Sequence, residues 1–110
     1  MRKTISLIPV TLVLTIFSIG CVDAANLSKG KRVFNKCKAC HSLVAGKNRV
    51  GPSLKGIFGR KAGTAPKYRY SKAMKKAGSD GLVWSEETIS TFLAKPRTFI
   101  KRTKMSFAGL

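Results

Sequence analysis

The sequence is short of histidine and cysteine, two residue types that commonly bind metal ions. His41 is the only histidine among 110 residues, and the cysteines are Cys21, Cys37 and Cys40. A structural zinc site needs about four ligands, usually supplied by these two residue types. Because Cys21 lies in a segment that we expect to be removed, too few ligands remain, and the sequence argues against a zinc protein.

Acidic residues are also scarce, with 4 Asp and Glu against 22 Lys and Arg and a formal net charge of +18. No segment alternates cleanly between apolar and polar residues as a half-buried strand does, and no internal repeat is present. A chain of this length is enough for one small domain. These features predict a single all-α domain. Its charge favours anionic partners.

One long apolar run is present, at residues 5–19. It follows two basic residues and ends near the small residue Ala24. A basic start, an apolar middle and a small-residue exit are typical of a secretory signal peptide. We therefore expect residues 1–24 to be a signal peptide and residues 25–110 to be the mature domain, located in the periplasm.

Two other interpretations of the first segment remain open. Residues 18–21 weakly resemble a lipoprotein cleavage box, although an aliphatic residue is normally expected in place of Ser18. The other alternative is an uncleaved membrane anchor, but the run is short for a span and Pro9 interrupts it. All three interpretations export the chain from the cytoplasm, and cleavage after Ala24 would remove Cys21.

Cys37, Cys40 and His41 form the pattern Cys-x-x-Cys-His, which is the signature of haem attachment. One helical turn holds both thiols where they can form thioethers with the two vinyl groups of one haem. The adjacent imidazole is a good iron ligand. A disulfide or a dithiol pair is the weaker alternative, because the disulfide loop would be tiny and no strand–helix–strand context is present. The motif predicts one covalent haem c per chain, with its iron bound by His41.

A sixth ligand for that iron is suggested by Met105, which lies between polar residues and an aromatic one. The other methionines are Met1 and Met74. A lone methionine is more often core filler than a ligand, so its position alone favours Met105 only weakly.

Further segments surround the haem motif in a defined order. They are residues 30–34 (GKRVF), 50–54 (VGPSL), 56–61 (GIFGRK), 65–66 (AP), Trp84, 95–96 (KP) and 103–109 (TKMSFAG). Together they resemble a class I c-type cytochrome of the mitochondrial cytochrome c and bacterial cytochrome c2 type. The resemblance covers nearly all of the mature chain. It implies the small cytochrome c fold, with short helices and long loops wrapped around the haem.

The resemblance also implies roles for individual residues. Met105 matches the sulphur ligand opposite His41, and Pro52 matches the residue whose carbonyl accepts a hydrogen bond from the histidine ring. The haem propionates would be surrounded by three further side chains, which are those of Arg60, Tyr70 and Trp84. A buried carboxylate needs such donors, since an unpaired buried charge is costly.

The sequence departs from the family pattern near the expected ligand. Lys101 and Arg102 replace the usual Pro-Gly, Met74 replaces a residue that is often polar, and Phe92 one that is often tyrosine. The family also continues into a C-terminal helix that closes the core, whereas this sequence stops at Leu110. We expect a fragment or a truncated product, the alternative being a domain that survives without that helix.

Local patterns predict the helices. Ser28 is expected to cap a first helix that runs to about Cys40. Glycines and prolines punctuate residues 42–70, which predicts a long loop ordered by the haem. A short helix is expected at residues 71–77, closed by a glycine. The strongest helix signal begins with Ser85 as its cap, and the proline at position 96 ends it.

These observations predict a one-electron carrier with His/Met ligation, and not an enzyme. The resemblance implies that it shuttles electrons between respiratory or photosynthetic complexes, with a cytochrome bc1 type donor and an oxidase or reaction centre as acceptor. Docking lysines would be Lys36, Lys38, Lys95 and Lys104, which would meet acidic surfaces on these partners. We expect a monomer that does not bind nucleic acid, with peripheral contact with anionic membranes as a by-product of its charge.

Two other functions are kept as alternatives. A haem enzyme or a sensor of small gases would follow if Met105 did not bind the iron, and a nonfunctional truncated product is the third interpretation.

Overall fold

Helices provide the regular structure of residues 24–110, the part of the chain that this computed structural model describes. The helices are α1 (Ala24–Phe34), α2 (Lys72–Ser79), α3 (Glu86–Ala94) and α4 (Pro96–Phe99). Within these residues the extended structure is limited to one isolated antiparallel bridge between Lys61 and Val83. The prediction of an all-α domain is confirmed.

The predicted signal peptide and its two alternatives fall almost entirely outside the described residues, so they stay predictions. Among residues 24–110, no helix is long and apolar enough to cross a membrane.

The predicted cap and the predicted end of the first helix are wrong. Within the described residues α1 spans Ala24–Phe34, so Ser28 lies inside it and is not its cap. The helix ends at Phe34, and the chain continues to Cys40 as a series of turns. Local hydrogen bonds still hold this stretch, since Lys38 N donates to Phe34 O at 3.1 Å. The helical spacing in the sequence reflects these turns as well as the helix.

The second helix begins one residue after its predicted start, with Ser71 as its cap, and it ends two residues later than predicted. The side chain of Ser71 caps α2 by accepting a hydrogen bond from Met74 N at 3.0 Å. Gly78 was expected to close the helix, but it is buried inside the last turn. A Cβ at this position would collide with Ala62 O. This glycine therefore serves the close packing of α2 on the loop, and the helix ends at Ser79.

The third helix confirms its predicted cap and end. Ser85 Oγ accepts from Thr88 N at 3.1 Å, and Ser85 N donates to Thr88 Oγ1 at 2.8 Å, which completes a capping box. The helix ends at Ala94, before Pro96. This proline also begins α4, a short helix that was not predicted, because proline suits the first position of a helix.

A small aromatic core lies between α3, α4 and the loop before them. Trp84 is 6% exposed and Phe92 is 7% exposed, and their ring centroids are 5.2 Å apart. Ile100 adds an aliphatic side chain that is 5% exposed. Ala62 completes the cluster, and half-buried residues, including Met105, pack against it. The core thus lies directly beside the expected methionine ligand.

The long segment 42–70 contains no helix, as its glycines and prolines predicted. Side-chain hydrogen bonds connect distant parts of this segment, and those of Asn48 are an example. Asn48 Oδ1 accepts from Ser53 N at 3.0 Å, while Asn48 Nδ2 donates to Pro66 O at 3.0 Å. One asparagine therefore joins the two ends of this segment.

Candidate haem site

The haem-attachment motif forms a tight turn directly after α1. Cys40 N donates to Cys37 O at 3.1 Å, and His41 N donates to the same carbonyl at 2.9 Å. Both thiols are free, with Cys37 half-buried and Cys40 exposed. Burial raises the pKa of Cys37, as does the neighbouring Cys40, while Lys36 lowers it. The turn presents two unpaired thiols and one imidazole in a single local unit.

Backbone hydrogen bonds fix the segment that follows the motif. Gly51 N donates to Cys40 O at 2.8 Å, and Leu54 N donates to Ser42 O at 2.8 Å. These bonds lie on either side of His41 in the sequence. Residues 51–54, called here the histidine support, are therefore held in a defined register against the motif.

The ring of His41 is fixed by the same segment. His41 Nδ1 lies 2.8 Å from Pro52 O, and a carbonyl oxygen can only accept, so Nδ1 carries the proton and donates it. This tautomer leaves Nε2 with a free lone pair, as metal ligation requires. A Cβ on Gly51 would collide with the ring, so this position must be glycine for the support to approach so closely.

Met105 lies in residues 101–107, called here the methionine loop. Its side chain is half-buried and packs against the aromatic core. Two contacts support the loop, since Thr103 N donates to Ile100 O at 3.1 Å and Met105 N donates to Thr103 Oγ1 at 3.4 Å. Arg102 has φ = 65°, a left-handed conformation that is strained for a residue other than glycine. The departure from Pro-Gly therefore places a strained residue three positions before the expected ligand.

Two of the three residues expected around the propionates are joined directly, because Trp84 N donates to Arg60 O at 2.9 Å. The guanidinium of Arg60 donates to Ser53 O at 3.1 Å, which brings it to the histidine support. Tyr70 Oη accepts from Ala65 N at 3.1 Å, which leaves its own proton available for another acceptor. The role of all three toward propionates remains a prediction.

The residues present fit a covalent c-type haem. The residues offer an imidazole, a thioether and two thiols, which is the chemistry that such a group needs. The glycine cradle around the ring and the bond from Nδ1 to a carbonyl fix the imidazole as an iron ligand needs to be fixed.

Sequence reasoning missed residues that shape the site without any motif of their own. Asn48 and Tyr68 both form hydrogen bonds to backbone carbonyls 18 residues away in sequence. Polar loop residues carry no signal for such distant contacts.

Comparison with known proteins agrees with this geometry. A sequence model of the family described as Cytochrome c matches residues 27–105. The chain belongs to the cytochrome c family. Cytochrome c2 of Afifella marina is 52% identical to it over 85 residues, which cover 76% of this chain and 68% of that protein. Cytochrome c2 of Agrobacterium tumefaciens (strain II Chrys) is 49% identical over 86 residues, which cover 77% and 78% of the two chains.

Solved structures of the cytochrome c family are similar as well. Cytochrome c2 from Rhodospirillum centenum superposes with a TM-score of 0.69 and 40% identity, covering 74% of this chain and 81% of the other. Cytochrome cH from Methylobacterium extorquens gives a TM-score of 0.66 and 43% identity, covering 76% and 81%. The chain is thus a class I c-type cytochrome with the cytochrome c fold, and it is a haem c electron carrier.

Proposed function

We propose that this cytochrome carries single electrons through one haem c that is attached to Cys37 and Cys40 and ligated by His41 and Met105. The observation that carries this proposal is the hydrogen bond from His41 Nδ1 to Pro52 O at 2.8 Å. It leaves Nε2 as a ready ligand, one residue after the exposed thiol of Cys40. When bound, the haem supplies reversible one-electron iron chemistry, and methionine ligation raises its potential.

The protein's own part in electron transfer is to hold two ligands still and to keep water from the site. The histidine support limits rotation of His41, while Met105 packs against the apolar core cluster that contains Trp84 and Phe92. Nothing in this role requires a substrate bond to be made or broken. The proposal is therefore a carrier and not an enzyme.

Arg60, Tyr70 and Trp84 are proposed to surround the propionates. The guanidinium of Arg60 uses two of its donors on backbone carbonyls of the loop, at 3.1 and 3.3 Å, which leaves other donors for a carboxylate. The free proton of Tyr70 could be donated in the same way. Such donors offset the cost of burying carboxylate charge.

Partners are proposed from the charge distribution. The acidic residues of the described chain lie between positions 80 and 87, whereas lysines and arginines occur throughout it. Lys36, Lys38 and Lys95 are exposed and flank the ligand segments. We expect them to meet acidic docking surfaces of a cytochrome bc1 type donor and of an oxidase or reaction centre in the periplasm. Such attraction speeds docking and weakens as salt is added.

The ligand assignment is tested by spectra of the holoprotein, made in a host that attaches haem c. We expect a low-spin spectrum with the weak far-red iron–sulphur charge-transfer band. Met105→Ala should lose this band and lower the midpoint potential, whereas the control variant Met74→Leu should keep the band.

A band that survives in Met105→Ala would contradict the proposed ligand. A wild-type protein with covalent haem, a high-spin spectrum and no band would favour the alternative of an open iron that reacts with peroxide or binds gases.

A further inference from the structure

Two residues other than glycine have a left-handed backbone within residues 24–110. Lys67 has φ = 57° and Arg102 has φ = 65°. Glycine adopts this conformation without steric cost, and asparagine and aspartate tolerate it better than most other residues. Both positions are nevertheless occupied by basic residues. The backbone therefore does not account for the choice of residue at either position.

Contacts within the chain do not account for the choice either. Lys67 and Arg102 are both exposed. Neither side chain hydrogen-bonds to another residue in the part of the chain that the structure describes, where the one ion pair joins Lys76 and Asp80. Strained backbone of this kind is concentrated at functional sites. The property that remains to explain both residues is the positive charge that they expose to solvent.

A hydrogen bond brings the two strained residues to the same part of the surface. Lys104 Nζ donates to Arg69 O at 2.7 Å, although these residues are 35 positions apart in the sequence. Lys67 lies two positions before Arg69, and Arg102 lies two positions before Lys104. The two segments are therefore adjacent. They carry exposed basic residues that are called here the basic patch: Lys67, Arg69, Lys101, Arg102 and Lys104.

The surroundings of the basic patch favour an acidic protein surface as its partner. Neither segment contains a carboxylate, and the acidic residues of the described chain are Asp80, Glu86 and Glu87. Like charges on adjacent loops repel one another, so a surface rich in carboxylates would be attracted and would relieve this repulsion. The patch contains none of the large exposed apolar side chains that insertion into a membrane would require.

We propose that the basic patch docks onto a carboxylate-rich surface of a redox partner, and that Lys67 and Arg102 keep their strained backbone because their charges bind this partner. The inference rests on the proposed function as an electron carrier. It adds a docking surface to the three exposed lysines named above. A partner bound to this patch lies beside the methionine loop, and both strained positions give up stability in exchange for partner binding.

The test is the reduction of the oxidised holoprotein by a detergent-solubilised cytochrome bc1 complex, followed by stopped-flow absorbance at low and high salt. Lys67→Gly combined with Arg102→Gly removes two charges and the strain together. We expect its second-order rate constant at low salt to fall about tenfold, or about threefold for each charge, as is typical of exposed ion pairs. Added salt should remove the difference from the wild type. The same variant should unfold at a higher urea concentration than the wild type, because glycine relieves the strain.

Two control variants separate the position of the charge from its amount. Lys29→Gln combined with Lys55→Gln removes the same charge from exposed lysines outside the patch, and it should leave the rate constant within about twofold of the wild type. Lys67→Arg combined with Arg102→Lys keeps both charges and should keep the wild-type rate constant. The far-red band should be present in every variant, which shows that the ligands are unchanged.

Three results would overturn the docking patch: an unchanged rate constant in the double glycine variant, an equal loss in the control from which the same charge is removed, or a double glycine variant that unfolds at lower urea than the wild type. In the last case the two basic residues would be needed for stability. A double glycine variant that reacts normally with the complex but binds less well to vesicles of phosphatidylglycerol and phosphatidylcholine would also overturn it, by assigning the patch to a lipid surface.

Each of these results leaves the carrier function standing. A wild-type protein that the complex does not reduce at any salt concentration would instead contradict the proposed donor, and with it the function on which the patch rests.

Discussion

The two sides of the haem site are held by different kinds of contact. On the histidine side, backbone bonds from Gly51 N and Leu54 N align the support with the motif, and a glycine lets the two approach. On the methionine side, the loop around Met105 has one local backbone bond, from Thr103 N to Ile100 O, its bond to a distant segment comes from the side chain of Lys104, and it contains a strained residue. The first ligand belongs to a rigid unit, and the second belongs to a loop whose closure depends on distant partners.

This difference indicates which ligand is released first when the fold is weakened. Backbone bonds between neighbouring segments break only when those segments separate, whereas a lysine side chain can leave its acceptor while the rest of the fold is intact. We expect conditions that weaken the fold to release Met105 while His41 is still bound. The predictions below test this order.

The largest effect is expected at Ile100, which anchors the start of the methionine loop. Its side chain is 5% exposed, and its carbonyl accepts a hydrogen bond from Thr103 N at 3.1 Å. Ile100→Ala should lower the free energy of unfolding by about 2–5 kcal/mol, and Ile100→Val by about 0.5–1.5 kcal/mol. Urea titration of the holoprotein, followed by circular dichroism and by the far-red band, measures both effects. If the far-red band persists until global unfolding, Met105 is not released first, and the expected difference between the two sides is contradicted.

A substitution on the histidine side should lower the free energy of unfolding by a smaller amount, and it should disturb His41 instead of Met105. Gly51→Ala places a Cβ against the imidazole of His41, and overpacking of this kind costs about 1–3 kcal/mol. The matched control is Gly30→Ala in α1, where an added Cβ meets no atom within 4 Å. This control should be neutral or stabilise the helix by up to about 1 kcal/mol. Equal unfolding midpoints for the two variants would show that the close approach is not needed.

The smallest effect is expected from relief of strain in the methionine loop. Glycine adopts φ near 65° without the cost of about 1–2 kcal/mol that other residues carry there, but it also adds freedom to the unfolded chain. Arg102→Gly should therefore raise the free energy of unfolding by a net amount of about 0.5–1 kcal/mol. Lys101→Gly, at a position without a positive φ, should lower it. If both variants lower it in urea titrations, Arg102 is not strained.

The sequence alone predicted features that depend on residues close together in the chain, such as the attachment motif and the cap at Ser85. The contact between His41 and Pro52 spans 11 residues, and it was expected only from the family resemblance. Errors arose where the determining contact is distant. Gly78 reads as a helix stop in sequence, but it is a packing position against Ala62, and nothing nearby in the sequence indicates that contact.

Distant contacts limit prediction from sequence on the methionine side as well. Resemblance to a known family could mark Met105, but an exposed lysine in a basic sequence reads as one of many docking charges. The partner of Lys104 is a backbone carbonyl, which every residue possesses, so residue type gives no sign of the pairing. Contacts of this kind can be found only in three dimensions.

The turn that carries the attachment motif also bears on the order in which the protein is assembled. The amides of Lys38, Cys40 and His41 donate to carbonyls no more than four residues earlier. Such a turn can form within microseconds, before the long loops have closed. A cofactor tethered at this stage would already be in place when the distant, slower contacts of the methionine loop form, and the remaining folding would proceed around it.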